Sequence, residues 1–134
     1  MKPFTLEPSM TTLGGVFYPT GHMVLMFATE QNARTAARKL EEEGLNEDDI
    51  ALASPDEFLR ELSRTFDDDD DEMPSAGTEA DTARRLGELA RHGHHALIVH
   101  CPGTSLCEHL MDVLKDTHIV YGQRYRRLII EDLT

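Results

Sequence analysis

The amino-acid sequence predicts one α+β domain, in which short apolar strands alternate with amphipathic helices and the chain closes in strands. Three observations carry this expectation. The runs His22–Ala28 and His94–Cys101 are apolar on both faces, as strands inside a covered sheet are. Four segments place apolar residues at helical spacing, and most are bounded by capping or glycine signals. The stretch from His118 to Leu133 reads as strand again, broken at Gly122.

At 134 residues the chain fits a single domain, 1–134, long enough to bury roughly two-thirds of its unfolded surface. The first residues, Met1–Ser9, mix charges with prolines and hold no long apolar region, so no signal peptide is expected. No run approaches the ~20 apolar residues of a membrane helix. A cytoplasmic location follows by default, and the two cysteines, Cys101 and Cys107, are expected as free thiols. The net charge of −12 comes from 25 acidic and 13 basic residues and argues against nucleic-acid and membrane partners. Half of the excess lies in the uninterrupted acidic run Asp67–Glu72, so the charge describes one segment more than a surface.

Residues 1–20 are rich in proline, glycine and threonine and read as an irregular arm, with 15–18 in extended form. The first strand, His22–Ala28, is followed by Thr29 as N-cap and by Ala33, Ala36, Ala37 and Leu40 on one helical face; Gly44 ends that helix. Asp49–Ala53 is the second strand. Ser54-Pro55-Asp56-Glu57 combines a cap, a proline at the first helical position and a capping-box glutamate, and opens a helix with Phe58, Leu59, Leu62 and Phe66 inward. Residues 67–77 are expected to be a mobile acidic loop. A third helix spans about Thr78–His92 and ends at Gly93; the third strand, His94–Cys101, follows. Ser105–Glu108 reads as another capping box, opening a helix with Leu106, Leu110, Met111 and Leu114 inward. Setting aside a helix and the acidic loop, inserted after strand two, the order comes near to β-α-β-β-α-β. That is the ferredoxin-like arrangement, with strand order 4-1-3-2. A small doubly wound α/β sheet is the alternative.

Several pieces resemble small uncharacterised bacterial ferredoxin-like proteins and, more weakly, the heat-induced general stress proteins. They are Tyr18-Pro19-Thr20-Gly21-His22, the alanine-rich helix ending in Glu43-Gly44-Leu45, the segment Gly93–Val99, and the tail Arg124–Glu131. Together they cover about half the chain. The resemblance implies a fold and a stress or regulatory setting, and carries over no catalytic residue.

Histidine is the unusual feature, with seven residues. If strands one and three run parallel, His22, His94 and His95 share a sheet edge with His92, and these four could bind Zn²⁺, Ni²⁺ or Cu²⁺. Against this, His92 suits a helix C-terminus, and His94 and His95 point to opposite faces. A second group, His100, Cys101 and His118, is less favoured. No cofactor is predicted beyond this metal alternative. The loop Cys101–Ser105 lacks the arginine of a phosphatase loop and the lysine of a P-loop, and reads as a strand end with a buried cysteine. The acidic run fails the calcium-loop pattern at its sixth and twelfth positions, Glu72 and Thr78. Arg124, Arg126 and Arg127, with Tyr121 and Tyr125, suit a small anionic ligand or, more simply, carboxylate partners and a dimer contact. Both faces of the central strands are apolar, and helices in this fold cover one face; the other is to be covered by the N-terminal arm, the inserted helix or a second subunit, and a homodimer through the sheet face is expected.

No catalytic residue is assigned. The favoured function is a non-enzymatic, self-associating small-ligand-binding or regulatory module, with His22, His94, His100, Arg124 and Arg126 as ligand contacts. A small cofactor-independent enzyme of the dimeric ferredoxin-like type, using a histidine as base, and a histidine-based metal-binding protein are the alternatives. A filled core with a surface groove separates the first from the enzyme, which needs a closed polar cavity holding a histidine.

Overall fold

A computed structural model describes residues 1–4, 17, 19–63, 78–126 and 130–134. The acidic run 67–72 and most of the expected N-terminal arm lie outside them. In chain order the elements are β1 (Lys2–Pro3), β2 (His22–Phe27), α1 (Glu30–Glu42), β3 (Ile50–Ala53), α2 (Pro55–Ser63), α3 (Thr78–Arg91), β4 (His95–His100), α4 (Thr104–Val113), β5 (Tyr121–Tyr125) and β6 (Ile130–Asp132). A 3₁₀ turn, Glu47–Asp49, leads into β3.

The fold is a mixed α+β arrangement in which six strands form one sheet in the order β1-β3-β4-β2-β5-β6. Among the described residues β1–β3 is a parallel pair, and β2–β4, β2–β5, β3–β4 and β5–β6 are antiparallel. This differs from the expected β-α-β-β-α-β order. Two helices, α2 and α3, separate β3 from β4, and an extra strand closes each edge. The antiparallel centre also rules out the doubly wound sheet, whose strands run parallel. The parallel pairing expected between the first and third apolar strands is corrected as well. A helix pair returns the chain to the end of the sheet where β3 stopped, so β4 enters there and runs back against β2.

The helix ends follow their local chemistry. Thr29 Oγ1 accepts from the Asn32 amide at 3.1 Å. Ser54 and Glu57 form the reciprocal box, with Ser54 N–H donating to Glu57 Oε1 at 3.0 Å and Glu57 N–H to Ser54 Oγ at 3.2 Å. Gly44 and Gly93 adopt φ of +104° and +89°, which a side chain would resist. The box expected at Ser105–Glu108 is absent. Gly103 is the N-cap and makes no side-chain capping bond, because the helix starts at Thr104. That start turns Cys107, Leu110 and Leu114 inward and leaves Leu106 38% exposed, against expectation.

Strand alternation divides the core into two layers. Met23, Leu25 and Phe27 of β2, with Leu97 and Val99 of β4, pack against Ala33, Ala36, Ala37 and Leu40 of α1 and Leu110 of α4. Val24, Met26, Ala96 and Ile98 face the other way, onto Phe58 and Leu62 of α2 and Ala83, Leu86 and Ala90 of α3, with Phe4, Phe17 and Tyr125 alongside. Phe58 sits 5.9 Å from the ring centroids of both Phe4 and Phe17. Helices therefore cover both faces within one chain. The inserted helices thus supply one of the three covers expected for this sheet face.

Candidate functional site

The register of β2 against β4 sorts the histidines. His22 lies opposite His100, and Phe27 lies opposite His95. Five residues of strand separate the two pairs, about 17 Å at strand rise. His22 therefore does not join His92, His94 and His95. The latter three sit where α3 hands over to β4. There His92 Nδ1 donates to the Glu88 carbonyl at 2.8 Å and His94 Nδ1 to the Leu89 carbonyl at 3.0 Å. Both rings add a donor to carbonyls of the last helical turn that already accept backbone amides, a role a helix C-terminus offers. Among the described residues, no three histidine, cysteine, aspartate or glutamate side chains converge on a common metal position.

At the other end of the sheet the rings of His22 and His100 are 5.0 Å apart, inclined at 53°. His22 Nδ1 donates to the Thr20 carbonyl at 3.1 Å, and His100 Nδ1 is 3.5 Å from Asp49 Oδ1. On the opposite face of the sheet, the almost fully buried Arg124 donates to Thr104 Oγ1 at 3.1 Å and to Glu131 Oε1 at 3.3 Å. Its guanidinium is thus a structural tie between β5, β6 and α4. Arg126 is exposed beyond the end of β5, and Arg127 lies outside the described residues. Cys101 and Cys107, expected as free thiols, are paired as a disulfide with Cα atoms 5.8 Å apart. It joins the end of β4 to the first turns of α4, and both residues are buried. Their six-residue spacing is short enough for one helical entry turn to bring them together.

One convergence of polar groups was not legible as a motif. A cleft of about 410 Å³ is lined by Glu30, Arg34, Leu52, Ser54, Glu57 and His95, close to Lys2. The first turns of α1 and α2 both border it, and the start of β4 supplies His95. Arg34 Nε donates to Glu30 Oε2 at 2.7 Å. That hydrogen bond first, and the charge of Arg34 second, hold the Glu30 carboxyl below its ordinary pKa; His95 adds a smaller effect in the same direction. Glu57 is held by the capping box. The polar groups are thus positioned by local helix chemistry before any ligand arrives. None of the expected ligand contacts, His22, His94, His100, Arg124 and Arg126, lines this cleft; His95, expected as a metal ligand, does. Glu30, Arg34, Ser54 and Glu57 could be read from the sequence only as cap and helix-surface residues. Their convergence depends on α1 and α2 starting at the same sheet edge.

A second groove of about 390 Å³ runs between α2 and α3, with an apolar floor at Leu59, Leu62 and Ala83 and arginines Arg84 and Arg91 at its rim. It is a seam between two helices, with Glu88 beside the arginines. No helix is long and apolar enough to cross a membrane among the described residues. Comparison of the chain with protein-family models, with curated proteins and with solved structures gives no match.

Proposed function

We propose that this chain is a non-enzymatic module that binds a small anionic molecule in the cleft between the first turns of α1 and α2. The observation that carries the reading is the pairing of Arg34 and His95 with two helix N-termini around one opening of about 410 Å³. Helix N-termini favour negative charge, and a guanidinium recognises carboxylate or phosphate in a planar fork. The volume lies in the range of small-molecule sites. The cleft is open rather than enclosed, as expected of a binding module. Glu30 and Glu57 at the rim restrict the ligand to one whose anionic group reaches Arg34 without facing both carboxylates.

A stress or regulatory setting is what the resemblance in the sequence would add to this reading.

A thermal-shift screen of small carboxylates and phosphorylated metabolites tests the proposal. Binders are expected to lose affinity about 10- to 100-fold in Arg34→Gln, the loss of one charge-assisted hydrogen bond. Anionic binders that are indifferent to both Arg34→Gln and His95→Gln would place the site elsewhere.

A further inference from the structure

We infer that His22 and His100 form a two-histidine chelate for a borderline divalent cation such as Zn²⁺, Ni²⁺ or Cu²⁺, at the end of the sheet remote from the cleft. The two residues face each other directly across the β2–β4 pair. They continue the rows Val24–Met26 and Ala96–Ile98 on one face of the sheet, so both rings project from the same side. A cation about 2.1 Å from each Nε2 at a tetrahedral angle sets two imidazole centroids about 5 Å apart. The observed separation is 5.0 Å, with the rings inclined by 53° rather than stacked flat.

The tautomers agree with this geometry. A carbonyl oxygen can only accept, so the contact of His22 Nδ1 with the Thr20 carbonyl at 3.1 Å puts the proton on Nδ1 and the in-plane lone pair of the neutral ring on Nε2. Asp49 stands 3.5 Å from His100 Nδ1 and favours the same tautomer there. One ring backed by a carbonyl and the other by a carboxylate is the outer-shell arrangement that orients metal-binding imidazoles. Asp49 acts behind His100 rather than as a third ligand, in keeping with the absence of any three-residue metal group among the described residues. Water or a donor from a partner molecule completes the coordination. The His100 side chain is 45% exposed, which gives a cation a path in. Backbone pairing fixes both strands, so the chelate is built by register rather than by a loop.

The test uses tag-free full-length protein, titrated with Zn²⁺ and Ni²⁺ by calorimetry and with substoichiometric Cu²⁺ by nuclear magnetic resonance. One cation per chain is expected in the tightest phase, with paramagnetic broadening centred on His22 and His100. His22→Gln and His100→Gln should each remove that phase, Asp49→Asn should weaken it about 10-fold, and His92→Gln should leave it unchanged. Circular dichroism checks that the variants fold, and the broadening pattern of the wild-type chain gives an answer that depends on no variant. Absence of binding by the wild-type chain, broadening centred on His92, His94 and His95, or a tightest phase that survives His100→Gln in a folded variant overturns the inference.

Discussion

Replacing Phe58 by alanine removes the ring that joins α2 to the sheet layer formed by Val24, Met26, Ala96 and Ile98. The side chain is fully buried and meets the rings of both Phe4 and Phe17 at 5.9 Å. A buried Phe→Ala change costs about 3–5 kcal/mol, the lost transfer energy plus the cavity left behind. A domain of this size has a total stability of about 5–15 kcal/mol, so the variant loses a large share of it. With an unfolding entropy of about 2 cal/mol/K per residue, a 4 kcal/mol loss lowers Tm by about 14 °C. Urea denaturation followed by circular dichroism measures the loss, and calorimetry measures the shift. The measurement should be repeated over a wide range of protein concentration. If the inserted helices cover this face in a single chain, the wild-type Tm is independent of concentration. A loss below about 1 kcal/mol, or a wild-type Tm that climbs with concentration, refutes the assignment of this layer to α2 and α3.

Other consequences are smaller and equally specific. Ser54→Ala opens the reciprocal box at the start of α2 and should cost about 1 kcal/mol in chemical denaturation. Gly93→Ala forces a side chain into φ of +89° and should cost about 1–2 kcal/mol, although no atom obstructs the new methyl. Reduction of Cys101–Cys107 releases a short loop, with a sequence separation of six, and should cost about 2 kcal/mol on the chain-entropy argument. Thiol trapping in cells reads the same pair: a reducing cytosol would keep it as a dithiol, an oxidising compartment as the bridge. Burial first, and Asp132 second, raise the Tyr121 pKa. Its neutral form is therefore favoured in the folded chain. The associated stability is intact below the unfolded tyrosine value of about 10 and is lost as pH rises through the higher folded value. Ultraviolet titration of the wild-type chain against Tyr121→Phe should show the loss of a late-titrating component.

Much of the secondary structure was legible because its signals are local. Thr29, Gly44, the Ser54–Glu57 box and Gly93 mark helix ends by capping and backbone chemistry that act within a few residues. The buried set of α1 follows from spacing alone. What the sequence concealed was direction. The runs containing His22 and His94 are apolar on both faces whether they pair parallel or antiparallel, so the pattern could not say which histidines meet. The helix pair between β3 and β4 decides the direction, and with it exchanges His94 and His95 for His100 as the neighbour of His22. On α4, Leu110 and Leu114 face inward as expected, but the residue that completes their row is Cys107, three before Leu110, rather than Leu106, four before it. Arg124 looked like a ligand contact because its ties to Thr104 and Glu131 come from elements that only the fold brings near. The cleft was missed because its residues were already explained, as caps and as a helix-surface ion pair.

The most direct test of the functional account is chemical-shift mapping of ¹⁵N-labelled protein with the strongest anionic hit from a metabolite screen. The account predicts perturbations centred on Glu30, Arg34, Ser54, Glu57 and His95, saturating with ligand and suppressed in Arg34→Gln. Perturbations centred on the α2–α3 groove at Leu62 and Gly87, or on the exposed Arg126, with the cleft unaffected, would contradict it.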